Sequence, residues 1–286
     1  MGGVVESAVP RVSSSSDPYH HERRFLLTRS QAAAFFAAVA RHTTLETYDD
    51  GRPISYTRTT YFDTDALDYF RSCAGAHACR LRVREYATAA SLEDAPLLSA
   101  LAFLELKQTS GADREKLRIT APSAALRHLI QRRTLPTHPD GTLALDGDLE
   151  MLERALAAPT LAPRLTTWYR RSSATGEEKR VRITYDENLS FCRPRPVSRL
   201  GTDIGIEVAP RPNDVVAAGP PRVLEIKYWG QLPAWLASAV ADMGPAPHFS
   251  KFRVGMIALS RKAIAPTLDT APDERAPASL ALGARH

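Results

Sequence analysis

RLRVREY (residues 80–86), FLELK (103–107) and REKLRI (114–119) decide how this chain is read. In the first, Arg80, Arg82 and Arg84 alternate with Leu81 and Val83. In the second, Glu105 and Lys107 alternate with Leu104 and Leu106, and in the third Arg114, Lys116 and Arg118 alternate with Leu117 and Ile119. Side chains of a β-strand point to opposite faces with period two, so each segment predicts a strand with one apolar and one cationic face. Two architectures accommodate several such strands in series. One is an open antiparallel sheet with one face on a core and the other in water. The other is a closed barrel with the charges in its lumen and its apolar face under helices. Buried unpaired charge is costly, so a cationic lumen requires a bound polyanion or water, together with carboxylates to offset it. Glu22, Glu105, Glu207 and Glu225 recur beside cations on predicted strands, either as ion-pair partners or as oxygen ligands for a divalent metal that bridges to phosphates.

Working outward, HHERRFLLT (20–28) predicts a first strand with Glu22 and Arg24 on one face. Ser30 is a candidate N-cap for an Ala-rich helix ending near Arg41. SYTRTTYFDT (55–64), rich in β-branched and aromatic residues, predicts the next strand, followed by a short helix over 66–71. Ser123 opens a predicted helix over 123–133, and a second helix is expected from about Asp148 to Ala157. RLTTWYRRS (164–172), KRVRITYDENLSF (179–191), GIEVAP (205–210) and PRVLEIKYW (221–229) predict further strands joined by hairpin-like connections. AWLASAVAD (234–242) predicts a helix, and HFSKFRVGM (248–256) reads as a short cationic segment. The expected organisation is a disordered segment over 1–18, one β-rich domain over 19–262 and an Ala/Pro-rich disordered tail over 263–286.

The chain has 286 residues, 44% hydrophobic and 24% charged, enough for a sizeable core. A net charge of +5 favours an anionic partner. No stripe of interleaved aromatic and basic residues of the single-strand-binding type is present, so nucleic acid is not the expected anion. Cys73, Cys79 and Cys192 form no disulfide framework and suit a reducing, cytoplasmic setting. The longest apolar run, Ala32 to Ala40, is shorter than the roughly 20 residues that span a bilayer, so no membrane span is expected.

The ordered series YFDT (61–64), RLRVREY, FLELK, VRITYD (181–186), LEIKYW (224–229) and FSKF (249–252) resembles the VTC domain. That domain is the polyphosphate polymerase module of the vacuolar transporter chaperone family, within the triphosphate tunnel metalloenzyme (CYTH-like) superfamily. The resemblance implies an α+β fold: an eight-stranded antiparallel β-barrel tunnel with a charged lumen, flanked by helices. It implies transfer of the γ-phosphate of ATP to a growing inorganic polyphosphate chain, assisted by a divalent metal, Mn2+ or else Mg2+. Matched motif by motif, it assigns Arg82, Arg84, Lys107, Arg182 and Lys251 to catalysis. Arg24, Arg80, Lys116, Arg118, Arg171, Lys227 and Ser250 are assigned to phosphate binding, and Glu225, Glu22 and Glu105 to metal. No membrane span of its own being expected, coupling to transport would use a separate membrane partner.

The first strand departs from the family's E-x-K-[YF] pattern, reading Glu22-Arg23-Arg24-Phe25. Hydrolytic tunnel relatives carry E-x-E-x-K there, and the second Glu is absent from this chain. A metal-dependent triphosphatase or polyphosphatase, and a silent polyphosphate- or nucleotide-binding module, are the alternative readings of the same residues. Asp186 is expected to close a turn or hydrogen-bond a neighbouring strand rather than act as a base.

Overall fold

The computed structural model describes residues 11–14, 19, 21–73, 75, 77–111, 113–122, 126, 147–176, 179–194, 210, 212–246 and 249–264. The strands are β1 (Arg11–Ser14), β2 (His21–Leu26), β3 (Thr43–Leu45), β4 (Ile54–Asp63), β5 (His77–Ala89), β6 (Leu97–Leu98), β7 (Leu101–Ser110), β8 (Asp113–Pro122), β9 (Ala162–Gly176), β10 (Val181–Cys192), β11 (Val215–Ala218) and β12 (Arg222–Tyr228). The helices are α1 (Arg29–Val39), α2 (Asp68–Ser72), α3 (Gly147–Ala157), α4 (Ala234–Ala239) and α5 (Lys251–Ile264).

All pairings are antiparallel, in the order β1-β8-β7-β5-β4-β9-β10-β12-β2, with β3, β6 and β11 attached at the side. The stretch from β8 to β2 supplies the eight strands expected. Among the described residues its ends do not pair, so the sheet is strongly curved rather than closed. The curvature is deep: Lys107 in β7 lies within electrostatic reach of Lys227 and Glu225 in β12, although four strands separate them in the sheet. Twist accumulating over many strands curls a sheet in this way.

Alternation sorts the two faces as expected. On the convex side Leu104, Leu106, Leu117 and Ile119 pack against Leu152 and Leu156 of α3. Farther round, Val181, Ile183, Leu224 and Ile226 pack against Phe35 and Val39 of α1 and Leu236 of α4. Each such fully buried aliphatic side chain stabilises the fold by about 1.5–3 kcal/mol. Helix α1 starts at Arg29, so Thr28 rather than Ser30 is its N-cap. The Thr28 hydroxyl accepts from the Gln31 N–H at 3.2 Å, while the Gln31 side chain accepts from the Thr28 N–H at 2.9 Å.

Other elements differ from expectation. Arg11–Ser14, in the segment expected to be disordered, pairs with β8. The expected strand 205–210 and helix 123–133 fall outside the described residues, apart from Pro210 and the helical, buried Leu126. The segment read as short and cationic opens α5, fourteen residues long and running two residues past the expected domain end. Its apolar positions follow helical spacing, because Phe252, Met256 and Leu259 lie at i, i+4 and i+7 and pack with Tyr61, Leu165, Leu189 and Phe191. Tyr61 shares the concave face with the cross-strand partners Arg82 and Leu165. Helix α5 is therefore lodged inside the curved sheet. Gly255 permits that approach, since a Cβ there would lie 2.6 Å from Leu165 Cδ2 and 2.7 Å from Phe191 Cδ1.

Candidate functional site

The concave face carries Arg24, Arg80, Arg82, Arg84, Lys107, Lys116, Arg118, Arg171, Arg182 and Lys227 from seven strands, with Lys251 added by α5. Among the described residues Glu22, Glu46, Glu105, Asp186 and Glu225 are the carboxylates beside them, fewer than the cations. These residues form two clusters.

In the first, register places Glu105 of β7 between Arg82 of β5 and Arg118 of β8. Glu105 is fully buried. One of its oxygens accepts from Arg82 Nε at 2.8 Å and lies 3.6 Å from Arg84 Nε. The other accepts from Arg118 Nε at 2.9 Å and lies 3.4 Å from Lys116 Nζ. Burial alone would raise its pKa, but Arg82, Arg84, Lys116 and Arg118 hold the carboxyl well below the usual range. Both oxygens are thus committed to cations. Glu105 is an anionic hub that holds a cationic wall together, apart from the other two expected metal ligands.

In the second cluster Asp186 of β10, 1% exposed, is opposite Arg171 of β9. Arg171 donates to its two oxygens at 2.6 and 2.9 Å, and Lys251 Nζ donates to it at 2.6 Å. Burial opposes ionisation of Asp186, yet Arg171 and Lys251 lower its pKa. The ring of Tyr169 lies 4.7 Å from Lys251 Nζ and 5.3 Å from the Arg171 guanidinium carbon. Burial works against ionisation of its hydroxyl, but Arg171, Arg84 and Lys251 bring its pKa below the usual phenol value. Beside this group, Glu225 accepts from Arg24 Nε at 3.2 Å, and the other end of the Arg24 guanidinium contacts Glu22. Against the effect of burial, Arg24, Arg171, Lys227 and Lys251 take the Glu225 pKa down to about 2.

Lys107 faces both clusters. Burial, then Arg82, Lys227 and Arg80, lower its pKa to about 7. Burial likewise lowers the pKa of Lys116. Two expected residues sit in different surroundings. Arg182 pairs with Glu46 at 3.1 Å with 43% of its side chain exposed, which places it at the rim. The Ser250 hydroxyl accepts from the Arg253 N–H at 3.5 Å at the start of α5. Arg80 Nε donates to the Cys73 thiol at 3.5 Å.

Glu22 and Glu225 come from adjacent strands, on one face and one register step apart, with Arg24 between them. No group of three or more His, Cys, Asp or Glu able to hold a metal occurs among the described residues. A pair of hard oxygen donors fits a divalent cation that takes its remaining ligands from phosphates and water, as Mg2+ and Mn2+ do. Glu22 and Glu225 meet that description and Glu105 does not.

Sequence reasoning missed the role of Asp186, which binds two of the cations assigned to the site. It also missed the buried hydroxyls of Ser55, Thr57, Thr59 and Thr167 on the same face. The period-two spacing of Ser55, Thr57 and Thr59 in SYTRTTYF was the available signal, masked by the general β-propensity of the segment.

A family model described as the VTC domain matches residues 19–260. A comparison with curated proteins finds no match. Among solved structures, the chain is similar to a proposed adenylate cyclase from Bacillus halodurans at 15% identity and a TM-score of 0.42, covering 87% of this chain and 92% of that one. A proposed adenylate cyclase from Vibrio parahaemolyticus gives 13% identity and a TM-score of 0.36, covering 85% and 86%. The S. pombe Pct1 RNA triphosphatase gives 10% identity and a TM-score of 0.23, covering 90% and 84%.

Proposed function

The chain belongs to the VTC domain family, and from that premise we propose that it is a polyphosphate polymerase, transferring the γ-phosphoryl group of ATP to the end of a linear inorganic polyphosphate. The observation that carries this reading is the excess of cations over carboxylates on one deeply curved face, arranged along a length of sheet rather than round a point. Phosphoryl transfer demands little covalent chemistry from a protein; it needs reactants held in line and the charge on the phosphoryl oxygens neutralised. Arg82, Arg84 and Arg118, already aimed by Glu105, present guanidinium forks to non-bridging oxygens. From the opposite wall Arg171 presents its guanidinium and Lys251 its ammonium, both aimed by Asp186. Lys107, Lys116, Arg80 and Lys227 add charge along the face, Arg182 adds it at the rim, and Ser250 positions Lys251 by capping α5.

Glu22 and Glu225 would hold a divalent metal, Mn2+ or Mg2+, with Arg24 moving to a phosphate. The ion would supply charge neutralisation between adjacent phosphates. The terminal oxygen of the chain attacks the γ-phosphorus, the bond to the β–γ bridging oxygen breaks, and ADP leaves. A hydrolase would direct water at the same phosphorus. The first strand has Arg24 where a second carboxylate would stand in that class, and this arginine occupies the space between Glu22 and Glu225. Transfer to a phosphate chain is therefore favoured over transfer to water.

The test is purified protein with ATP and Mn2+ or Mg2+, with products resolved by length on a gel beside Glu225→Ala and Lys251→Ala. Long chains with ADP release, reduced about 10²-fold or more in both variants, are expected. Free phosphate without chains would replace this reading with a phosphatase. Tight polyphosphate binding without turnover would replace it with a binding module.

A further inference from the structure

A stripe of hydroxyls without partners runs between the two charged clusters. Ser55, Thr57 and Thr59 alternate onto the concave face of β4, the central strand between the arginine strand β5 and the Arg171 strand β9. Thr59 is opposite Arg84 on one side and Thr167 on the other, Thr57 is opposite Tyr86 and Tyr169, and Ser55 is opposite Thr88 and Arg171. Ser55, Thr57, Thr59 and Thr167 are each no more than 1% exposed. Yet among the described residues their hydroxyl oxygens, like Tyr169 Oη and Arg84 Nε beside them, have no hydrogen-bond partner.

Buried polar atoms in a folded protein are almost always paired, because a hydroxyl taken out of water without a partner is destabilising. Valine would fill the same positions of a strand with no such cost. The arrangement becomes favourable when an anion accepts from these groups, since a hydrogen bond to an ionised acceptor is stronger than a neutral one. Successive hydroxyls on one strand face are about 6.7 Å apart, so three of them follow a linear ligand rather than surround one phosphate. Arg84 is the looser of the two β5 arginines at Glu105, 3.6 Å away against 2.8 Å for Arg82, and it is the in-register neighbour of Thr59. Turning toward a phosphate, its side chain would uncover the stripe.

We infer that Ser55, Thr57, Thr59 and Thr167 form a neutral track that holds the middle of an inorganic polyphosphate chain between the Glu105 and Asp186 clusters. This rests on the polymerase reading and deepens it. A face made only of guanidinium and ammonium groups would hold a polyanion too firmly to let it move. Hydroxyls donate to the non-bridging oxygens without carrying charge, and because they repeat along the strand, the oxygens pass from one donor to the next as the chain advances.

The experiment measures binding of long-chain inorganic polyphosphate and of tripolyphosphate by calorimetry, with thermal unfolding of the ligand-free protein. It compares wild type, the Thr57→Val/Thr59→Val double variant, the matching Thr-to-Ser double variant, and Ser55→Ala, which removes a hydroxyl without adding bulk. The valine variant is expected to unfold at or above the wild-type temperature, having lost two unpaired hydroxyls. Its affinity for long chains is expected to fall about tenfold and its affinity for tripolyphosphate less; serine is expected to restore binding, and Ser55→Ala to weaken long-chain binding about threefold. Unchanged long-chain affinity in folded valine and Ser55→Ala variants overturns the track, as does an equal loss for long and short chains. Should the valine variant not fold, Ser55→Ala decides alone. A wild type that binds long chains but makes none from ATP removes the polymerase reading, while the variant-to-wild-type ratio still decides the track.

Discussion

Leu104-Glu105-Leu106-Lys107 in β7 and Leu224-Glu225-Ile226-Lys227 in β12 are almost the same tetrapeptide, each with Glu and Lys on the concave face of one sheet. Their surroundings differ because their neighbouring strands differ. Glu105 is flanked by arginine on both sides, Arg82 and Arg118, and disappears completely beneath them. Glu225 is flanked by Arg24 on β2 and the neutral Thr184 on β10, and its side chain keeps 21% of its exposure. The first carboxylate organises cations; the second, beside Glu22, keeps the freedom to meet a ligand. Cross-strand partners, rather than the motif, divide the two roles.

The sharpest way to break that comparison is to neutralise each carboxylate in turn. Glu105→Gln leaves several half-buried cations without their anion and is expected to cost about 3–5 kcal/mol in chemical denaturation, part of it recovered with saturating polyphosphate. Glu225→Gln, at a partly exposed pair, is expected to cost less stability than Glu105→Gln while impairing turnover. Equal stability losses would erase the distinction.

A smaller effect is expected from the helix that completes the second cluster. Gly255→Ala sets a methyl against Leu165 and Phe191 and is expected to destabilise the fold by about 1–3 kcal/mol. Because α5 also carries Lys251 to Asp186, its turnover should fall more than that of an alanine variant at an exposed α5 position such as Arg253. Proportionate losses of activity in both variants would separate α5 from the chemistry.

The mildest test concerns Lys107, which faces both clusters. Its pKa in the fold, about 7, lies below the ordinary lysine value of 10.5, so between these values the unfolded chain binds the proton and the folded one does not. Stability is therefore expected to rise with pH across this window, and the penalty for charging Lys107 is fully present below about 7. A bound polyanion favours the charged form, so polyphosphate binding near pH 8 should take up close to one proton. Calorimetry in buffers of different ionisation enthalpy measures it, and zero uptake would remove Lys107 from the ligand-facing surface.

Much of this site is legible in the amino-acid sequence. Alternation alone puts Arg80, Arg82, Arg84, Lys116 and Arg118 on one kind of strand face, whereas Arg171 is assigned through the family resemblance. The role of α5 is hidden there because Phe252, Gly255 and Met256 make sense only against Leu165 and Phe191, far earlier in the chain. Asp186 reads locally as a hydrogen-bonding group, and half of that reading holds: its partner Arg171 is on the adjacent strand. Its second partner, Lys251, arrives from a helix that periodicity over nine residues did not reveal. Glu105 illustrates the reverse, a residue whose motif suggested a metal ligand and whose neighbours commit both of its oxygens.

Alternation and composition were enough to establish that this chain makes antiparallel strands with one apolar and one cationic face, under helices. Those properties are local and survive ignorance of what packs against what. It took the packed molecule to settle which carboxylate serves as a buried hub, which remains open to a ligand, and which hydroxyls are left without partners. Such outcomes depend on register between strands far apart in the chain, where moving a partner by one residue exchanges an arginine for a leucine.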